Sequence, residues 1–261
     1  MHWLEEGPDD APAVVLIHGL GGDAQFWGVE QAALARHFRV LAVDLRGSGL
    51  SPGTVEAFSI EDLARDVESM LDEAGISSTH VIGFSMGGVV AQALAVASPQ
   101  RIERLVLAAT FAVVNPQARL FLQAIGSVYR DGLSARQLYE LVLPWLFSVA
   151  FLDDSRSAPY LAYPDEQGEE QSRDDWLSLL AALLAFDGRA RLSAIRAHTL
   201  IISGDEDCLA PLAGAEELAH GIHGSVLKIV AGGHLMNVES PDEFIGQIER
   251  FLLPHRQPAL A

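Results

Sequence analysis

The pentapeptide Gly83-Phe84-Ser85-Met86-Gly87 is the most informative stretch of this chain. It fits the pattern G-x-S-x-G and lies between a predicted buried strand, residues 80–82, and a predicted helix that runs to residue 97. The flanking glycines allow a sharp strand-to-helix turn, which strains the backbone of Ser85 and points its hydroxyl outward. The start of the helix adds free N–H groups and a positive dipole end, which stabilise a developing oxyanion. The pattern therefore predicts that Ser85 is a catalytic nucleophile.

Short runs of β-branched and aliphatic residues alternate with amphipathic helical stretches along the chain. This alternation predicts an α/β fold with a mostly parallel sheet that is covered by helices on both faces. Ser59 and Gly75 delimit one clear predicted helix. The run Ser240-Pro241-Asp242-Glu243 predicts a capping box and a C-terminal helix over residues 244–253. Six strands, each expected to be fully buried, are predicted at residues 14–17, 40–43, 80–82, 105–108, 199–202 and 226–230.

The alternation is interrupted once, between the fourth and fifth predicted strands. Helical patterns fill this gap, so we predict a helical insertion over residues 115–190 that forms a cap, with residues 1–114 and 191–261 forming the core. Ser172 is the predicted N-cap of a helix that contains Trp176. Residues 153–173, rich in charge, proline and serine, are expected to be the most mobile segment. A length of 261 residues suits one domain with such an insertion.

Charge and cysteine content limit the classes of function. Asp and Glu outnumber Lys and Arg by 35 to 17, and the net charge of −18 repels phosphate backbones and anionic lipids, so neither nucleic acid nor a membrane is an expected partner. The most apolar stretch, residues 141–152, is shorter than the about 20 residues that span a bilayer, and the N-terminus lacks a secretory signal pattern. The lone Cys208, expected to be a small buried side chain, cannot form an intrachain disulfide. We expect a cytoplasmic protein.

A serine hydroxyl needs a base, and the base needs a carboxylate that orients it. His234 is the expected base, because it follows Gly232 and Gly233 after the last predicted strand, at the edge where open α/β sheets form their sites. The loop after the fifth predicted strand supplies the acid in the order Ser, acid, His. Its sequence leaves the acid open among three carboxylates, Asp205, Glu206 and Asp207.

The loop after the first predicted strand reads His18-Gly19-Leu20-Gly21-Gly22, and its glycines let the backbone approach a substrate closely. We predict that the backbone N–H groups of Leu20 and Met86 form an oxyanion hole. A glycine-rich loop of this kind also occurs in nucleotide sites. However, neither G-x-G-x-x-G nor G-x-x-x-x-G-K-[ST] is present, so no nucleotide is expected. No cofactor and no metal are expected either.

Taken together, these stretches resemble the α/β-hydrolase superfamily over essentially the whole chain. Residues 44–51 resemble the family's D-x-R-G-x-G-x-S turn, and His234 through Pro241 resembles its H-x-x-x-x-E-x-P stretch. Gly204-x-x-Asp207-x-x-x-Pro211 resembles the family's acid loop, which implies that Asp207, rather than Asp205, is the acid. The resemblance also implies that the insertion caps the active site.

Individual segments are similar to particular branches of this superfamily. Residues 100–107 and 234–239 resemble 3-oxoadipate enol-lactonases, residues 19–22 resemble aminoacrylate hydrolases, and residues 83–88 resemble cofactor-free haloperoxidases, which are relatives of carboxylesterases. Ser85 stands where dehalogenases and epoxide hydrolases carry aspartate, which argues against those activities. Only about thirteen residues precede the first predicted strand, so the usual N-terminal hairpin of the family is expected to be short or absent.

The resulting hypothesis is a serine hydrolase that cleaves a small carboxylic ester or lactone through an acyl-serine intermediate. Two alternatives remain: the same triad acting on an amide, carbamate or carbon–carbon bond or forming a peracid, and a ligand receptor with slow turnover. Trp145 and Phe147 in the insertion, together with Trp27 beyond the oxyanion loop, are the candidate pocket residues. Most other aromatic residues of the insertion are expected to form its core.

Overall fold

A seven-stranded sheet lies at the centre of the protein in our computed structural model, which describes residues 1–163 and 171–253. The strand order is β1-β3-β2-β4-β5-β6-β7; β1 runs antiparallel to β3, and every other neighbouring pair is parallel. This order confirms the predicted α/β fold with a mostly parallel sheet. The strands are β1 (Trp3–Glu6), β2 (Ala13–Ile17), β3 (Arg39–Val43), β4 (Thr79–Phe84), β5 (Ile102–Ala108), β6 (His198–Gly204) and β7 (Val226–Val230).

The strands alternate their side chains between two apolar layers, one on each face of the sheet. In β2, for example, Val15 and Ile17 belong to one layer, whereas Val14 and Leu16 belong to the other. Helices cover both layers, as the sequence predicts. The helices are α1 (Gly28–Leu34), α2 (Ile60–Glu73), α3 (Met86–Ala97), α4 (Pro116–Arg130), α5 (Ala135–Leu146), α6 (Val149–Leu152), α7 (Ala158–Leu161), α8 (Arg173–Ala185), α9 (Leu212–Gly221), α10 (Met236–Glu239) and α11 (Pro241–Leu252).

Both edges of the sheet differ from the sequence prediction. The last strand, β7, is expected to be fully buried, but Val226, Lys228 and Ile229 are exposed, because β7 is an edge strand with a neighbour on one side only. At the other edge, β1 is a strand that the sequence analysis does not predict. Three of its four residues are exposed, so it lacks the apolar signal by which buried strands are recognised.

Serine caps start helices α2 and α8, as predicted. The Ser59 Oγ accepts a hydrogen bond from the Asp62 N–H at 3.2 Å, and the Ser172 Oγ accepts one from the Asp175 N–H at 3.1 Å. The predicted capping box at Ser240 is wrong. Its hydroxyl donates to the Ala231 carbonyl at 2.8 Å, because the short helix α10 ends at Glu239 and places Ser240 in a tight junction between two helices.

Helices α4 to α8 lie between β5 and β6, which confirms a helical insertion after the strand that ends at Ala108. The insertion has an apolar cluster of its own, formed by Ile125, Tyr129, Leu138, Trp176 and Leu180. The segment 153–173, predicted to be mobile, lies partly outside the described residues, at positions 164–170. Among the helices of the described ranges, none combines the length and apolar character that crossing a membrane requires.

Candidate active site

Ser85 lies in the turn between β4 and α3 with φ 53° and ψ −117°, which is a strained conformation for a residue other than glycine. Its N–H donates to the Ala108 carbonyl at 2.9 Å, and its carbonyl accepts from the Thr110 Oγ1 at 2.7 Å. A Cβ on Gly87 would lie 2.1 Å from the Ile17 carbonyl oxygen, so only glycine fits there. The strained turn predicted from the G-x-S-x-G pattern is confirmed.

A row of hydrogen bonds joins Ser85 to His234 and Asp207. The His234 Nε2 lies 3.0 Å from the Ser85 Oγ, and its Nδ1 lies 2.8 Å from the Asp207 Oδ2. In the tautomer that fits both contacts, the Nδ1–H of His234 donates to the Asp207 Oδ2, and the Nε2 is left as the acceptor for the serine hydroxyl. His234 and Asp207 are both buried, whereas Ser85 is partly exposed. The structure thus brings together the three residues predicted to be catalytic.

Asp207 is held rigidly by its own loop. While its Oδ2 faces His234, its Oδ1 accepts from the N–H groups of Leu209 and Ala210 at 2.8 and 2.7 Å. Asp205, the other candidate acid, is exposed, and its Oδ1 accepts from the Gly232 N–H at 2.8 Å. Asp205 therefore supports the backbone of the histidine loop and does not contact the imidazole.

The other two residues singled out in this loop, Glu206 and Cys208, both face solvent. Glu206, the third carboxylate, is exposed, and the two imidazole nitrogens of His234 face Asp207 and Ser85 instead. Cys208 is also exposed, so the expectation of a small buried side chain is wrong. The side chain of Asp207 turns inward to accept from the N–H groups of the same loop, and the residues on either side of it face outward.

The predicted oxyanion loop follows β2 and lies beside Ser85. A Cβ on Gly19 would come within 3.2 Å of the Ser85 Cβ. Met86 is the first residue of α3, so its N–H has no acceptor within the helix. Among the described residues, none accepts a hydrogen bond from the Leu20 N–H. Neither N–H group is therefore occupied by an acceptor from the described residues.

His18 fixes the shape of this loop. Its Nδ1 donates to the Gly19 carbonyl at 2.7 Å, and its Nε2 accepts from the Leu45 N–H at 3.1 Å. Burial lowers the pKa of His18 below its ordinary value, so the ring stays neutral and keeps one donor and one acceptor. Asp44, just after β3, joins this region to its own loop, because its carboxylate accepts from the N–H groups of Ala24 and Leu50 at 2.7 and 2.9 Å.

The three candidate pocket residues have different environments. Trp27 has no exposed surface and packs edge-on against Phe26, so it belongs to the core beneath the site and does not form a pocket wall. Trp145 is half-buried and stacks on Phe121 with ring centroids 4.2 Å apart. Phe147 is buried and stacks on Phe151 at 5.1 Å.

Sequence reasoning missed several residues that hold the site. Thr110 is one of them, because its hydroxyl donates to the Ser85 carbonyl. The only signal for this role in the sequence is the position of Thr110 just after β5, at the carboxyl edge of the sheet. Glu239 is part of the H-x-x-x-x-E-x-P stretch, but its contact with Ser148 beside the histidine loop was missed, because 91 residues separate the two in the chain. Across residues 1–163 and 171–253, no group of three or more His, Cys, Asp or Glu side chains is arranged to hold a metal ion.

Comparison with known proteins gives a consistent result. The family model described as alpha/beta hydrolase fold matches residues 12–241. A protein from Variovorax paradoxus (strain S110), named "Putative carbamate hydrolase RutD", is 34% identical over 261 residues, which cover 97% of this chain and 96% of the relative. A protein of the same name from Pantoea ananatis (strain LMG 20103) is 33% identical over 246 residues, which cover 90% of this chain and 86% of the relative.

A solved structure is also similar to this chain over nearly its whole length. The enol-lactonase from Burkholderia xenovorans LB400 is 30% identical to this chain, with a TM-score of 0.85, and the match covers 96% of this chain and 95% of the enol-lactonase. The similarity therefore extends over the sheet and the helical insertion together.

Proposed function

The chain belongs to the α/β-hydrolase fold family, and on that basis we propose that it is a serine hydrolase that cleaves a small carboxylic ester or lactone. The observation that carries the proposal is the row from the Ser85 Oγ through His234 to Asp207, with separations of 3.0 and 2.8 Å. This is the geometry that a nucleophile, a base and an orienting acid require. We assign Ser85, His234 and Asp207 to these three roles.

The proposed reaction uses each group twice. The Ser85 Oγ attacks the substrate carbonyl and passes its proton to the His234 Nε2. The new C–O bond turns the carbonyl oxygen into an oxyanion, which the N–H groups of Leu20 and Met86 bind. His234 then returns its proton to the departing alcohol oxygen as the carbon–oxygen bond breaks. A water molecule repeats the sequence on the acyl-serine and releases the acid. Removal of one such oxyanion donor costs about 10²–10³ in kcat in other hydrolases.

Neutral ester and lactone substrates suit the charge of the protein. The net charge of −18 disfavours the approach of anions. Trp145 and Phe121 offer apolar surface on the insertion. The enol-lactonase that is 30% identical over nearly the whole chain supports a lactone or ester as the substrate class.

A carbamate is the second candidate substrate, because two relatives that are 33% and 34% identical carry the carbamate hydrolase name. The same site chemistry applies, with a carbamoyl-serine in place of the acyl-serine. The two candidates differ in the group on the carbonyl carbon and not in the residues that act on it, so substrate assays must decide between them.

The test is a panel of matched p-nitrophenyl esters and carbamates, together with simple lactones, assayed with the wild type and Ser85→Ala. We expect steady turnover of esters or lactones by the wild type and the loss of roughly 10³-fold or more in kcat/KM in the variant. Faster turnover of carbamates would establish the second candidate. A single slow covalent event per molecule would indicate a receptor instead, and full activity of Ser85→Ala would overturn the proposed mechanism.

A further inference from the structure

Glu239 is a buried carboxylate that lies five residues after His234 and whose two oxygens are both occupied. Its Oε1 accepts from the N–H groups of Gly233 and Ser148 at 2.9 and 2.8 Å. Its Oε2 accepts from the Ser148 Oγ at 2.5 Å. Among the described Lys, Arg and His side chains, none forms an ion pair with it. Burial of a carboxylate without a cation is costly, so these three hydrogen bonds are what hold it in place.

The three donors come from two different regions of the molecule. Gly233 directly precedes His234 in the loop after β7, whereas Ser148 is the N-cap of α6 in the helical insertion and accepts from the Phe151 N–H at 3.1 Å. One carboxylate therefore joins the histidine loop to the junction between α5 and α6.

The residue on the other side of His234 is joined to the same junction. The Leu235 N–H donates to the Leu146 carbonyl at 2.8 Å. The two segments are also packed backbone to backbone, since a Cβ on Gly233 would lie 2.7 Å from the Ser148 nitrogen. Both neighbours of His234 thus depend on residues 146–148 for their position.

We propose that Glu239 is a positioning residue, which keeps the His234 Nε2 within hydrogen-bond distance of the Ser85 Oγ only while residues 146–148 of the insertion are docked. This inference rests on the proposed function, because it assumes that His234 is the base. It makes the insertion part of the mechanism, since undocking the α5–α6 junction would release both neighbours of the imidazole. A displacement of about 1 Å in a reacting group is enough to cost about 10²-fold in rate.

The experiment compares Glu239→Ala and Glu239→Gln with Glu243→Ala, a matched control at an exposed glutamate on α11. For p-nitrophenyl acetate, Glu239→Ala should lower kcat by roughly 30- to 100-fold and change KM by less than about threefold. Glu239→Gln keeps an acceptor for the two N–H groups and should recover roughly tenfold of that loss. The control should match the wild type. Thermal denaturation verifies that each variant is folded at the assay temperature.

Two further measurements separate a positioning role from a merely structural one. The rate at which a fluorophosphonate labels Ser85 should fall in parallel with kcat in folded Glu239→Ala, because the base is displaced. Ser148→Ala should lower kcat by about tenfold in the wild type and by less than about twofold in Glu239→Ala, because both changes break the same contact. If Glu239→Ala does not fold, the Gln variant and Ser148→Ala carry the test, and each must then lower kcat.

A kcat of Glu239→Ala within about twofold of wild type, or equal effects of Ser148→Ala in both backgrounds, would overturn the positioning role. If Glu239→Ala does not fold, a wild-type kcat in both Glu239→Gln and Ser148→Ala would overturn the positioning role. The proposed function fails separately, if Ser85→Ala retains activity. An inactive Ser85→Ala combined with a normal Glu239→Ala would therefore refute this inference alone.

Discussion

Two helical glycines show how differently the catalytic edge of the sheet and the helical insertion are built. A Cβ on Gly87, in α3, would lie 2.1 Å from the Ile17 carbonyl oxygen, whereas one on Gly126, in α4, would lie 2.6 Å from the Leu180 Cδ2. The first contact is with the backbone of the interior strand β2, and the second is with the end of a flexible side chain. The carboxyl edge of the sheet at α3 is therefore fixed by the main chain, whereas the helices α4 and α8 of the insertion meet through side chains that can repack.

This difference has a consequence for function. Loops that are held by backbone hydrogen bonds and close backbone contacts keep reacting atoms at constant distances, which catalysis requires. An apolar cluster such as that of Ile125, Tyr129 and Trp176 tolerates changes of shape at modest cost. We expect substitutions at the catalytic edge, and at residues 146–148 that contact it, to change the rate, and substitutions elsewhere in the insertion to change which substrate is accepted.

The largest effect is expected within the acid loop. Asp207→Asn keeps the shape of the side chain but favours the wrong imidazole tautomer, so kcat should fall by about 10⁴-fold. Asp205→Asn keeps an oxygen that can accept from the Gly232 N–H and loses only the charge, so it should cost less than about tenfold. Steady-state kinetics on one ester measures both variants. The reverse ranking would transfer the role of acid to Asp205.

The two glycines themselves give the next largest effect. Gly87→Ala should lower the free energy of unfolding by about 3 kcal/mol, because neither α3 nor β2 is free to move away from the new methyl group. Gly126→Ala should change it by less than about 1 kcal/mol, since displacement of the Leu180 side chain is offset by the better helix propensity of alanine. Gly28→Ala, where nothing lies within 4 Å of the added Cβ, is the control. Urea denaturation measures all three, and equal losses at Gly87 and Gly126 would refute the distinction.

A smaller effect is expected from the face of the insertion. Trp145→Ala removes the ring that stacks on Phe121 and should shift the preference between short and long acyl chains by roughly tenfold in kcat/KM, with the turnover of acetate esters nearly unchanged. Leu120→Ala, on the exposed side of α4, should leave the preference as it is. An equal loss of rate on every ester in Trp145→Ala would mean that this part of the insertion acts on the chemistry.

The smallest effect concerns Glu30, a buried carboxyl of α1 that accepts from the Asn237 Nδ2 at 3.2 Å behind the histidine loop. Burial raises the pKa of Glu30 above its ordinary value of 4.5. In the pH range above that value the folded protein binds a proton that the unfolded chain has released, so stability falls as the pH rises through this range. Glu30→Gln has no proton to lose, and it should raise the melting temperature at neutral pH.

The control for this prediction is acid pH, where Glu30 is protonated in both states and the gain should disappear. Glu243→Gln, at an exposed position, should have no such pH-dependent effect. A Glu30→Gln variant that melts below the wild type at neutral pH would show that the charged carboxylate is the stabilising form.

The sequence predicts the catalytic edge, where the carboxyl ends of the strands carry Ser85 and His234, better than the insertion. The physical reason is the same contrast between main-chain and side-chain contacts. Ser85 and His234 are identifiable because a strained turn and a close backbone approach require glycines at fixed spacing, and spacing is visible in a sequence. Spacing does not distinguish Asp205 from Asp207, because both lie on one loop. The bend of that loop decides which carboxylate reaches the imidazole. The motif resemblance, and not the spacing, favours Asp207.

Environments that depend on distant contacts are the ones that the sequence analysis misses. Trp27 is an aromatic residue close to the oxyanion loop, but its ring turns into the core against Phe26 and Phe84. Ser240 has a good capping sequence, but helix α10 precedes it and its hydroxyl binds Ala231 instead. Each error arises because tertiary packing overrides a correct local preference.

The most direct test of the account is the site of covalent modification by a fluorophosphonate during loss of esterase activity, determined by peptide mass spectrometry. We predict one adduct per chain, on Ser85, formed in proportion to the activity lost and absent from Ser85→Ala. An adduct on a different residue, or complete inactivation with Ser85 unmodified, would contradict the assignment of Ser85 as the nucleophile.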